Sequence, residues 1–97
     1  MAKFINIVKV KVKTKYREEY LTICDEEPKF EGMTSAKYVE IAPNTFTFIG
    51  EWKTQEDIDQ SRPKMLKFLD KLRPMLEEIS PELGVTDPSS GSVIIEK

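Results

Sequence analysis

Six side chains are candidates for binding or chemistry: Asn6, Tyr38, Phe48, Trp52, Arg62 and Met65. Trp52 is the only tryptophan. It offers a flat apolar wall on which an aromatic ligand could stack, or a core anchor between a strand and a helix. Asn6 interrupts an otherwise apolar strand face, and a polar group placed there needs a hydrogen bond. It could hold a carbonyl or an oxygen intermediate, or satisfy a backbone group. Tyr16, Tyr20 and Tyr38 could each bring a hydroxyl into a cavity, or pack in the core with the OH at an edge. Arg62 stands just before Pro63 and could bind a carboxylate or phenolate; a surface salt bridge is the plainer role. Phe48 shares a strand face with Trp52, and Met65, with Met33 and Met75, could line an adaptable pocket or fill core gaps.

The absent residue types exclude more. There is no histidine, which removes His-based triads, His-ligated zinc or haem and His proton relays. Cys24 is the single cysteine, so no intramolecular disulfide forms. Acidic residues near it in sequence raise rather than lower its thiol pKa, which argues against a nucleophile. Glu40 and Glu51 fall on different elements with no metal-like cluster around them, so no metal is expected. No Walker, Rossmann or CxxC motif is present, and no cofactor is expected. Asp87 to Ser92 could form a backbone nest for an anion or an ordinary loop.

The elements that must position these groups follow from periodicity. Phe4 to Lys13 alternates, with Phe4, Asn6, Val8, Val10 and Val12 on one side and Ile5, Ile7, Lys9, Lys11 and Lys13 on the other, which predicts a strand. Thr14 is a candidate N-cap for a helix from about Lys15, ended by Pro28, with Gly32 at the exit. Strands over Met33–Ile41 and Thr45–Trp52 flank Ala42-Pro43-Asn44, a hairpin signal. Thr54, with Asp57 three residues on, caps a short helix to about Ser61. A second helical segment is expected from Pro63, with an apolar stripe running to Ile79 and a kink or break at Pro74. Val93 to Ile95 is the expected last strand. The order is βαββαβ, an α+β ferredoxin-like fold: a four-stranded antiparallel sheet with both helices on one face.

Residues 1–97 are long enough for one domain only. The composition is 39% apolar and 33% charged, a polar globular balance, and so short a chain buries only about 60–65% of its unfolded surface. Ile5, Ile7, Val39, Ile41 and Ile49 lie on the sheet face that the helices leave open. Packing that face on a second copy would bury it, so a homodimer is expected. Fifteen basic and 17 acidic residues leave a net charge of -2, too balanced for a nucleic-acid or membrane partner. The basic residues crowd 1–17 and acids dominate 18–51; two solvated faces account for this. No apolar run approaches a membrane span, and Met1-Ala2-Lys3 leads straight into the strand pattern with no targeting segment, so a cytoplasmic location is expected.

From Gly50-Glu51-Trp52-Lys53-Thr54 onward the sequence resembles the antibiotic-biosynthesis-monooxygenase (ABM) superfamily. The strand ending in Glu-Trp, the capped helix and Phe68-Leu69-x-x-Leu72-x-Pro74-x-Leu76 carry the resemblance, and Val8 to Lys13 fits the same pattern. It implies a dimeric α/β barrel of two ferredoxin-like sheets. It also implies, for an enzyme, cofactor-independent oxidation of a small aromatic or quinol substrate, with Trp52 as a pocket wall and Asn6 or Arg62 in polar contact. The alternative is a non-catalytic small-molecule-binding or regulatory dimer. Haem-degrading relatives use an Asn, a Trp and a His; the last two positions fall near Ser61 and Lys71, which excludes that activity. Aromatic-oxidising relatives use an Asn, a Trp and a Tyr around the third strand. Trp52 matches, but Phe48 and Ile58 stand at about the other two positions.

Overall fold

The computed structural model describes residues 3–97; the expectation for the Met1-Ala2 start lies outside the described residues. Among the described residues five strands form one antiparallel sheet: β1 (Phe4–Val12), β2 (Met33–Ala42), β3 (Thr45–Trp52), β4 (Leu76–Glu77) and β5 (Asp87–Ser92). Two helices, α1 (Arg17–Glu26) and α2 (Gln55–Leu72), complete the βαββαβ order. β1 is central, paired on one edge with β3 along Phe4–Lys11. Its other edge is shared, Lys11–Val12 with β4 and Phe4–Lys9 with β5. The fourth strand position is thus filled by two short segments.

Local chemistry explains the elements. The connection into α1 is a 3-10 turn over Thr14–Tyr16, and no side chain caps the helix. Thr14 is therefore not the N-cap; its hydroxyl accepts from Asn44 Nδ2 at 3.1 Å instead. Glu18 and Glu19 in the first turn complement the helix dipole. Arg17 reaches Glu40 and, at 3.0 Å, Asn44, which fastens the helix start to the β2–β3 turn. Asn44 takes the left-handed conformation there, with φ 55°. Glu27 is extended because Pro28 follows it.

Thr54 caps α2, accepting from the Asp57 amide at 3.2 Å. The helix then runs unbroken through Pro63 to Leu72, which corrects the expected division at Ser61–Pro63. Pro63 removes the backbone bond to the Asp59 carbonyl, and both residues lie on the exposed side of the helix. Near Pro74 the chain tightens into a 3-10 turn over Arg73–Met75 and then extends. Leu76 is consequently not helical as expected but pairs with Val12.

The last strand also needs correction. Asp87–Ser92, expected to be a turn or an anion nest, is β5, and Val93–Ile95 lies beyond it. The free edge of β1 accepts Asp87–Ser92 from Lys9 down to Phe4, and Val93 N then bonds to Lys3 O at 2.9 Å. Pro88 is tolerated because an outer strand has one side without ladder bonds. Ile94 and Ile95 are left exposed.

The helix-facing side of the sheet holds two buried clusters. One gathers Val10, Val12, Tyr20, Cys24, Phe46, Leu72, Met75 and Leu76. The other gathers Phe4, Met33, Trp52 and Ile58, with Phe48 and Met65 packed against it. A row of small or polar residues, Ser90, Asn6, Gly50 and Ala36, crosses the sheet in register beside the second cluster. The opposite sheet face exposes Ile7, Val39 and Ile41, as its alternation predicts, and leaves Ile5 and Ile49 half-covered.

Candidate functional site

β1 and β3 place Asn6 opposite Gly50 and Phe4 opposite Trp52. Asn6 and Trp52 are therefore diagonal neighbours on one face, within reach of each other. Trp52 Nε1 donates to Asn6 Oδ1 at 2.8 Å, and both residues are buried. Gly50 makes the contact possible. A Cβ there would stand 2.5 Å from Asn6 Oδ1 and 3.0 Å from the Phe48 ring, closer than packed atoms come. The polar residue on the apolar face is thus satisfied by the indole of its neighbour. Among the described residues no buried side-chain nitrogen or oxygen lacks a hydrogen-bond partner.

Phe48 and Met65 border the Trp52 cluster, and Tyr38 packs on Phe48 with ring centroids 5.0 Å apart. Five of the six candidates thus form one neighbourhood. Arg62 stands apart, exposed on α2, 3.5 Å from Asp59.

Two clefts on the helix side are lined by residues other than Asn6 and Trp52. The first, about 400 Å³, lies between α1 and β2, with Leu21, Cys24 and Tyr38 among its lining. Behind it Cys24 and Tyr20 are buried in one cluster, with Tyr38 packed against it. Burial is the largest cause that raises the pKa of all three groups. These are neutral hydrogen-bonding groups at physiological pH, and the thiol is poorly suited to attack.

The second cleft, about 620 Å³, lies between α2 and the loop after α1. Phe30 and Phe68 meet edge to face in it, centroids 6.5 Å apart, and four lysines line it. The six candidates include none of its residues. Its signal was present in the spacing of Lys64, Lys67 and Lys71, which repeat along one helical face. The loop's contribution depends on a tertiary contact and leaves no such pattern. Among the described residues no group of three or more Cys, Asp or Glu side chains is placed to hold a metal ion, and no helix is long and apolar enough to cross a membrane.

No protein-family model and no curated protein matches the chain. Solved structures do. A dimeric ferredoxin-like protein from an uncultured marine organism is 13% identical with a TM-score of 0.74, covering 100% of this chain and 92% of that one. A protein from Nitrosomonas europaea bearing the antibiotic biosynthesis monooxygenase name is 16% identical, with a TM-score of 0.74 and coverage of 96% and 91%. SnoaB, a cofactor-independent oxygenase from Streptomyces nogalater, solved as a mutant, is 9% identical, with a TM-score of 0.71 and coverage of 99% and 97%. At these identities the likeness is one of fold, and the chain has the α+β ferredoxin-like fold of the antibiotic-biosynthesis-monooxygenase structures.

Proposed function

We propose that the chain is a non-catalytic, small-molecule-binding homodimer of ABM-like fold. The observation that carries this reading is the bond between Trp52 and Asn6. It engages the indole N–H and the amide oxygen with each other, inside a packed cluster, so neither is presented to a ligand. The second copy covers the open sheet face. Ile7, Val39 and Ile41 are exposed there, an apolar patch that can meet itself about a twofold axis. The dimeric state of a structural neighbour supports the same assembly.

Cofactor-independent oxygenation is the second reading, favoured by the likeness to SnoaB. In it a quinol or anthrone anion reduces dioxygen, one oxygen atom enters the substrate and the other leaves as water. Trp52 would wall the pocket, with Asn6 or Arg62 in polar contact. Oxygen consumption with a panel of quinols and anthrones decides between them. The binding reading expects no uptake above the protein-free rate. Uptake that disappears in Trp52→Phe or Asn6→Ala establishes the oxygenase instead.

A further inference from the structure

The cleft between α2 and the loop after α1 has the makings of an anion site. Lys64, Lys67 and Lys71 occupy one face of the helix, and Lys29 faces them from the loop. Among the described residues none of the four takes part in an ion pair. Glu27 and Glu31 also line the cleft, so four positive charges stand against two negative. Like charges at helical spacing repel, which destabilises the helix. An anion in the cleft would relieve that repulsion.

The floor is apolar. Phe30 and Phe68 are both half-buried, meet edge to face and line the cleft. The walls are fixed. Ser61 Oγ donates to the Glu31 carbonyl at 3.2 Å and ties the loop to the helix. Gly32, at φ 87°, packs where a Cβ would lie 2.6 Å from Asp57, which itself belongs to the helix cap. A pinned cleft of about 620 Å³ falls within the usual size of small-molecule sites, roughly 300–1,000 Å³.

We infer that this cleft binds an aromatic carboxylate, its ring on Phe30 and Phe68 and its anionic head among Lys64, Lys67 and Lys71. The inference rests on the small-molecule-binding reading and gives it a site and a ligand class. Titration calorimetry of the full chain with 2-naphthoate tests it, with 2-naphthylmethanol as the neutral counterpart. The carboxylate should bind about tenfold tighter than the alcohol or better. Lys67→Glu/Lys71→Glu should weaken it by a similar factor, and raising salt from about 50 to about 500 mM should weaken it further. Phe68→Leu should weaken both probes. Circular dichroism verifies that these variants stay folded.

No saturable binding of naphthoate overturns the assignment, as does equal affinity for the alcohol or indifference to the charge reversal. Binding of polyglutamate or RNA in place of naphthoate also overturns it, since the cleft would then serve a macromolecule. Light scattering on the same samples reports the dimer separately. A dimer that ignores naphthoate counts against the cleft alone, and a monomer that binds it counts against the assembly alone.

Discussion

The indole of Trp52 donates to Asn6 across the β1–β3 pair at 2.8 Å. The bond explains a polar residue on an otherwise apolar strand face. Trp52 is fully buried, and a buried indole N–H without an acceptor would be costly. Asn6→Ala should therefore destabilise the fold by about 1–3 kcal/mol, the cost of an orphaned buried donor. Urea unfolding measures this. Combining it with Trp52→Phe should cost less than the sum of the two single changes, since the phenyl ring has no donor to strand. Strict additivity would mean that the bond contributes nothing.

Gly50 is the third member of this arrangement. Its β-carbon, if present, would meet Asn6 Oδ1 at 2.5 Å and the Met33 methyl at 3.2 Å. Gly50→Ala should cost about 1–3 kcal/mol by overpacking. The cost should shrink in an Asn6→Ala background, where the nearest obstacle is gone. An equal cost in both backgrounds would place the strain elsewhere.

Much of this was legible in the sequence. The alternation of β1 located Asn6 on the buried face, and the hairpin signal at Ala42-Pro43-Asn44 fixed the β2–β3 turn. The diagonal between Asn6 and Trp52 was not legible, because it depends on the β1–β3 register. The same limit explains the misplaced last strand. Val93-Ile94-Ile95 has the better strand composition, but the free edge of β1 selects Asp87–Ser92. Pro63 misled for a different reason: an exposed helix face tolerates one missing backbone donor.

That tolerance has a cost that can be recovered. Pro63 lies in the interior of α2, where proline lacks the N–H that would bond to the Asp59 carbonyl. Pro63→Ala should stabilise the protein by about 1–3 kcal/mol, within the roughly 3 kcal/mol separating the two residues in a helix. A thermal melt and a urea titration should agree on the sign. Destabilisation would show that Pro63 sets a bend which α2 needs for its packing.

Tyr20, Cys24 and Tyr38 give the fold an alkaline limit. Burial raises all three pKa values above their ordinary ones, 9.0 for the thiol and 10.0 for the phenols. Each group is thus held protonated in the folded chain at pH values where the unfolded chain releases its proton. The stability linked to them is complete below the unfolded values and falls as pH rises through them. Urea midpoints should drop as pH rises through about 9 to 10. Cys24→Ala should flatten the first part of that decline, where the thiol titrates alone. An unchanged profile in this variant would remove the thiol from the account.

The open sheet face gives the sharpest test of assembly. Ile7 stands opposite Ile49 in the β1–β3 register and is 39% exposed in the single chain. A charge at so exposed a position costs a monomer little, because the new group can be hydrated where it stands. In a dimer whose sheets meet face to face, the same charge would be buried against the partner's sheet. Ile7→Asp should therefore leave the circular dichroism spectrum unchanged while halving the mass seen by light scattering, from twice 11.2 kDa to the single chain. A wild-type protein that is already monomeric at micromolar concentration would refute the assembly. A variant that stays dimeric would move the interface to another surface, with the exposed Ile94 and Ile95 beyond β5 as the next place to put a charge.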